Sequence, residues 1–162
     1  PSTKMLVQEA ISVLRTVDSS LRLILTRMQV LAKSLPEYST VREMGGVGDV
    51  LAVKLIAEIG DVRKLHSAKA LIAWAGIDPP PYESGKFVGS KRKITKRGSS
   101  TLRKVGYEVM RVLKSHPAPK DGAVYNYILK KENEGKRKRH AKIAGLNKFL
   151  RIYYARVIEV YQ

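Results

Sequence analysis

The sequence predicts an all-α fold: a helix-hairpin-helix domain with an N-terminal coiled-coil helix and a long basic loop. Three observations predict it. Apolar residues recur every three or four positions through long stretches, the spacing of one helix face. A glycine-rich turn, Met44-Gly45-Gly46-Val47-Gly48, joins two such stretches. Prolines and glycines between residues 77 and 98 interrupt the helical pattern, which then resumes.

The first element is a long helix. Val7, Ala10, Leu14, Val17, Leu21, Ile24, Met28, Leu31 and Leu35 follow one another in steps of three and four. A repeat of about 3.5 residues keeps one seam facing a partner helix. Pro36 ends the helix, because the residue before a proline is pushed out of the α region. The seam fits an intermolecular or long-hairpin coiled coil; the alternative is a face packed on the rest of the same chain. Residues 1–36 are thus a coiled-coil linker, and 37–162 the helix-hairpin-helix domain.

A short helix opens near Pro36 and runs toward Met44. After the glycine turn a helix spans Asp49 to Ile59, with Ala52, Leu55, Ile56 and Ile59 as its apolar stripe and Gly60-Asp61 at its end. Another covers Ser67 to Ala75, with Leu71, Ile72 and Trp74 inside it and Gly76 as its stop. Residues 77–98 form a loop, since Pro79-Pro80-Pro81 cannot be helix and Gly85, Gly89 and Gly98 follow. At about twenty residues it is long for a compact domain, and such loops are usually functional or disordered. Phe87-Val88 and Lys93-Ile94-Thr95, flanking Gly89-Ser90, are expected to pair as a small hairpin. Ser99 or Ser100 caps a helix through Lys114. Helices from Asp121 to Asn133 and Arg139 to Tyr161 complete the chain. The last places Ile143, Leu146, Leu150, Tyr153, Val157 and Val160 on one face.

The net charge of +17 on 162 residues calls for a polyanionic partner, nucleic acid first. Its placement sharpens the point. Residues 1–85 carry a net +1 and residues 86–162 a net +16. A histone-like or ribosomal protein is also basic, so charge fixes the partner class and not the activity. The absence of cysteine excludes a disulfide framework, a zinc ribbon and a thiol nucleophile, and fits a reducing compartment. No stretch reaches the ~18 apolar residues of a membrane span. Arg15 and Asp18 interrupt any signal-peptide core. The opening Pro1-Ser2-Thr3, without Met, reads as the start of an excised fragment.

Two constellations carry chemistry. The first is the glycine turn with Ala52 and Ile56 beyond it, which is helix-hairpin-helix spacing. Glycines allow positive φ and close approach to a phosphate, and the start of the next helix holds the anion. Gly46, Val47 and Gly48 are therefore candidate DNA-backbone contacts; the plainer reading is a tight turn between two helices. The second is the loop from Gly76 to Gly85. Ser84 stands there beside Gly85, ahead of Lys86, Lys91, Arg92, Lys93, Lys96, Arg97, Arg103 and Lys104, with no acid among residues 86–104. Neighbouring cations stabilise an alkoxide and the charge on a phosphate under attack. Ser84 is thus the candidate nucleophile and those cations the candidate DNA contacts, although a serine before glycine also serves as plain turn chemistry. Ser90, Ser99 and Ser100 compete, the last two reading as caps. Acids are scattered and His66, His116 and His140 stand apart, so no metal site is expected here. No phosphate-binding glycine-lysine loop of the nucleotide hydrolases occurs either.

Three blocks occur in order: Met44 to Gly48 with Ala52; Ala75-Gly76-Ile77-Asp78-Pro79 through Ser84-Gly85; and Ile94 to Lys104. Together they resemble the C-terminal transposase domain of insertion-sequence transposases of the IS116/IS110/IS902 family, the bridge-RNA-guided recombinases, over about residues 38–115. The resemblance implies DNA cleavage and rejoining through one serine, which is Ser84 by its place after Pro79. It also implies a coiled coil supporting a homodimer or higher oligomer, and a structured guide RNA that supplies sequence choice. An N-terminal domain with four metal-binding acids, holding magnesium, belongs to the family pattern and is missing here, so the fragment is expected to be inactive alone. The expected location is the prokaryotic cytoplasm, at the nucleoid. The alternative is a non-catalytic DNA- or RNA-binding helix-hairpin-helix module.

Overall fold

The computed structural model describes residues 2–79, 93–116 and 122–162, and the backbone alone at 83–84 and 87–88. Helix dominates it. In chain order the elements are α1 (Thr3–Lys33), α2 (Tyr38–Arg42), α3 (Asp49–Ile59), a 3-10 turn (Val62–Lys64) and α4 (Ala68–Trp74). Strands β1 (Glu83–Ser84) and β2 (Phe87–Val88) follow, then α5 (Ser100–Ser115), α6 (Gly122–Asn133) and α7 (Lys138–Val160).

Helix α7 organises the packing, touching α2, the 3-10 turn, α4, α5 and α6. Leu146, Leu150, Tyr153 and Val157 of its expected apolar face are buried, as are Ala141, Gly145 and Phe149. Gly145 is needed for closeness: a Cβ there would enter Ile128 of α6. Helix α3 docks on α5 instead, and its predicted stripe of Ala52, Leu55, Ile56 and Ile59 is buried. The α3 and α7 faces of the core are thus stripes legible one helix at a time, and Leu102, Val105, Val109, Met110 and Leu113 of α5 pack with them.

Two polar contacts fasten α7 to distant parts of the chain. Tyr154 donates to the Leu65 carbonyl at 2.9 Å, just past the 3-10 turn. Tyr161 donates to Glu37 Oε2 at 2.5 Å, before α2, and Arg63 stacks 4.4 Å from its ring centroid. Glu37 is the charged residue that is buried among the described residues, and this hydroxyl supplies it with a hydrogen-bond partner. Hydrogen bonding to Glu37, followed by burial, raises the Tyr161 hydroxyl above the usual tyrosine value.

The structure revises the sequence reading of the loop. Phe87-Val88 pairs antiparallel with Glu83-Ser84, in register Glu83 with Val88 and Ser84 with Phe87, and not with Lys93-Ile94-Thr95. Thr95 bonds to Asp78 instead, through its N–H to the carbonyl at 2.9 Å and its hydroxyl to Oδ1 at 2.6 Å. For α1 the structure bears on the two alternatives that the sequence left open. Its C-terminal part packs on α2 and α3, through buried Ala32 and half-buried Leu25, Met28 and Gln29. Apart from Met28, the heptad seam is exposed: Leu14 is 67%, Leu21 60% and Leu31 68% accessible. The seam therefore does not fold back onto the described part of its own chain.

The Tyr161 contact yields a stability prediction. Tyr161→Phe leaves the buried Glu37 carboxylate without this donor and is expected to cost about 1–3 kcal/mol in urea unfolding. Because the folded-state value is raised, the contact's contribution is fully present below the ordinary value of 10.0 and is lost as pH rises through the folded value. The wild type should thus lose its advantage over the Phe variant in alkali.

Candidate nucleic-acid interface

The base of the basic loop is tied by backbone contacts between residues 74–78 and 95–99. Besides the Thr95–Asp78 pair, Lys96 donates its N–H to the Gly76 carbonyl at 3.0 Å. Ser99 donates its N–H to the Trp74 carbonyl at 2.6 Å. Gly98 lies between these last two contacts, and a Cβ there would collide with the Trp74 and Ala73 carbonyl oxygens. The end of α4 and the start of α5 thus meet backbone to backbone. Both ends of the segment containing Ser84 are held at this junction.

Ser99 then does three things. It accepts from the Leu102 N–H at 3.0 Å as the cap of α5, donates its hydroxyl to Glu58 Oε2 at 3.1 Å, and bonds Trp74 as above. Glu58 in turn accepts from Trp74 Nε1 through its carbonyl at 3.2 Å. Of the two serines the sequence offered as caps, Ser99 is the one used.

The candidate cations separate into two groups. Lys93, Lys96, Arg97 and Lys104 are exposed. Lys96 has φ +58. Arg103 points inward, donating from Nη1 to the Ala75 carbonyl at 3.0 Å at the end of α4, and is half-buried. A guanidinium at a helix C-terminus satisfies an orphan carbonyl and opposes the negative end of the dipole. Its geometry is that of a structural clamp. Lys86, Lys91 and Arg92 lie outside the described residues, and Ser84 is described by its backbone alone, on β1 opposite Phe87.

The glycine turn is mostly turned inward. Gly46 has φ +79, and a Cβ there would stand 2.7 Å from the Val109 carbonyl and 2.8 Å from Leu113 Cβ of α5. Val47 is buried, and its N–H donates to the Met44 carbonyl. Gly48 differs: its Cβ position is open, and it begins α3 without a side-chain cap. Next to it, Asp49 Oδ1 accepts from Arg42 Nε at 2.5 Å, and Arg42 Nη1 reaches the Val47 carbonyl at 3.2 Å. The Arg42 hydrogen bond, with its charge, holds the Asp49 carboxyl below the usual carboxylate range. An acid and its arginine thus stand at the start of α3, where the sequence reading placed a phosphate.

Trp74 is a residue that sequence reasoning set inside α4 without a role. It is 49% exposed, with its indole N–H fixed on Glu58. Lys136, Arg137, Lys138, Arg139 and His140 are also exposed, at the turn from α6 into α7, and the bare charge run could have drawn attention to them. Among the described residues, no group of three His, Cys, Asp or Glu could hold a metal ion, and no helix is long and apolar enough to cross a membrane.

Residues 38–126 match the family model described as transposase, IS116/IS110/IS902 family. The pilin gene-inverting protein of Moraxella bovis is 28% identical over 117 residues, covering 72% of this chain and 35% of that protein. The insertion element IS116 uncharacterized 44.8 kDa protein of Streptomyces clavuligerus is 30% identical over 95 residues, 59% of this chain and 23% of its own length. The transposase for insertion sequence element IS1111A of Coxiella burnetii is 29% identical over 92 residues, 55% of this chain and 24% of that protein. The chain spans between about a quarter and a third of the length of these relatives.

The two outer glycines of the Gly-Val-Gly turn should respond differently to a methyl group. Gly46→Ala combines left-handed strain with overpacking against α5 and is expected to cost about 3 kcal/mol or more. Gly48→Ala meets open space at ordinary φ and should cost about 1 kcal/mol or less. Chemical denaturation of the two variants measures both, and equal losses would contradict the inward placement of Gly46.

Proposed function

Because the chain belongs to the IS116/IS110/IS902 transposase family, we propose that it is the DNA-binding, strand-exchanging C-terminal part of a transposase, with Ser84 as its nucleophile. The observation that supports this reading is the junction at Gly98. It holds both ends of the Ser84 segment while Lys93, Lys96 and Arg97 stay exposed beside it. A rigid base and exposed cations are what a phosphate under attack requires.

The step is a transesterification. Ser84 Oγ forms a bond to phosphorus, the bond from phosphorus to one deoxyribose oxygen breaks, and that oxygen takes up a proton as the serine hydroxyl releases one. Attack by a hydroxyl of another strand reverses the step and frees the serine, so one phosphodiester replaces another without an outside energy source. Lys93, Lys96 and Arg97, with Lys86, Lys91 and Arg92, neutralise the phosphate. Gly48, whose Cβ position is open, is the part of the glycine turn left to approach DNA backbone. Sequence choice then falls to a guide RNA, since backbone contacts carry no base information. Magnesium does not fit the described residues, which lack a cluster of acids, and it is assigned to the metal-binding domain of the family pattern.

Ser84→Ala in the full-length transposase should abolish recombination and the covalent protein–DNA adduct while leaving DNA affinity nearly unchanged. Ser99→Ala should instead lower stability by about 0.5–2 kcal/mol through loss of the helix cap, with the adduct retained. Adduct trapping on denaturing gels reads both. Normal recombination by Ser84→Ala would leave a non-catalytic binding module as the reading.

The exposed seam of α1 supports assembly as a homodimer or higher oligomer. Val7, Leu14, Val17, Leu21 and Ile24 stand accessible along one side of the helix. Apolar area of this kind favours association by about 25 cal/mol per Å² buried. Leu21→Glu or Ile24→Glu puts an unpaired charge in the seam and should dissociate the assembly in sedimentation experiments. A wild-type chain that stays monomeric at concentrations of tens of micromolar would overturn the reading.

A further inference from the structure

We propose that the turn from α6 into α7 is a second phosphate-binding surface, in which Arg137, Lys138, Arg139 and Lys142 grip the backbone of a nucleic-acid duplex. The inference rests on the reading of the chain as a nucleic-acid-binding protein and adds a surface centred beyond residues 38–126, the part that matches the family.

Four cations in a row, Lys136 to Arg139, are followed by His140, and all five are exposed. A charge run is usually a solvated face balanced by neighbouring acids. This one is not balanced. The nearby Glu134 is held by Lys131 at 2.6 Å, with Lys136 adding only its field. Arg137, Lys138 and Arg139 have no ion pair among the described residues. Their position aggravates the repulsion. Arg137 is the N-cap of α7, no acid lies in the first turn, and no side chain caps it. The positive end of a helix favours anions, so cations here oppose both each other and the dipole. A polyanion laid across the turn relieves both, and it is the partner that this arrangement suits.

The surface also continues. One turn along α7, Lys142 places Nζ 5.7 Å from the ring centroid of Tyr107 on α5. Lys104 and Arg111 lie one turn either side of Tyr107 and are exposed. On a helix, positions three and four apart share a face, so cations extend from the α7 turn across Tyr107 onto α5. Glu108 is the acid of that face of α5, half-buried beside Lys104 in the groove between α1, α3 and α5. The path runs over two elements, so it suits a chain of phosphates rather than one bound anion.

The test is a triple variant, Arg137→Gln, Lys138→Gln and Arg139→Gln, assayed on duplex DNA and on duplex RNA of equal length. Removal of one phosphate-binding cation should reduce the slope of log affinity against log salt by about 0.9, and for the triple variant affinity at moderate salt should fall roughly 10- to 100-fold. A control, Lys4→Gln, Arg15→Gln and Lys69→Gln, removes the same charge from exposed positions elsewhere and should leave the slope unchanged. Without nucleic acid the triple variant should melt at or above the wild-type temperature at low salt, since the opposing cations are gone; this separates weakened binding from misfolding. Weakening confined to the DNA or the RNA arm supports the proposal and identifies the duplex. Unchanged slopes on both, or an equal weakening in the control, would overturn it while the DNA-binding reading stands. A wild type that binds neither duplex overturns both.

Discussion

The meeting of α3, α4 and α5 at Ser99 is the contact on which the rest of the domain depends. One residue caps α5, bonds the end of α4 through Trp74 and bonds α3 through Glu58. Gly98 lets the backbones come close enough for this, and Arg103, one turn into α5, clamps the Ala75 carbonyl from the other side. Because α5 also packs on α3 and α7, orientation set at this point passes to the glycine turn and to the C-terminal helices. The basic loop leaves from and returns to the same place. Its exposed cations therefore project from a fixed base, and their positions relative to α5 are set by hydrogen bonds and not by the loop itself.

What the sequence made legible is what local periodicity encodes. The stripes of α3 and α7, the end of α1 before Pro36 and the cap Ser99 all follow from residues a few positions apart. What it left out depends on partners far along the chain. The bonds from Thr95 to Asp78 join residues seventeen apart with no pattern of alternation to announce them, so a hairpin with Phe87-Val88 looked equally open. The same holds for Arg103: a cation in a basic run reads as a phosphate contact until Ala75 is brought beside it. The Gly-Val-Gly turn shows the subtler limit. Glycine is required both where backbone approaches a ligand and where it approaches another helix, and for Gly46 the approaching helix is α5. The candidate site was thus legible as a set of blocks, and the assignment of each residue to packing or to surface was not.

Charge follows the same division. Arg42, Arg63, Lys114 and Lys131 are each paired with an acid, and Arg103 with a carbonyl. Their contribution is internal to the fold. With a net +16 in the second half of the chain, far more cations remain than acids can meet. Repulsion among them lowers the stability of the folded state, and the only large relief available is an external polyanion. A chain of this kind gains stability when it binds, because a ligand that prefers the folded state shifts folding toward it. Binding of a polyanion and folding would then be linked through the second half of the chain.

A parallel linkage operates at the other end. Residues 3–24 of α1 are exposed throughout, a helical arm of about 33 Å at 1.5 Å per residue. Isolated helices are marginal in water, and several positions of this arm are Val or Ile, which give up side-chain freedom on entering a helix. A surface laid against the seam would add to the stability of this helix. The end of the arm packs on α3, and α3 carries Glu58 to the Ser99 junction. Helix α1 is thereby joined to the helix that supports the loop. The apolar seam of α1 and the cationic loop are thus connected through one and the same junction.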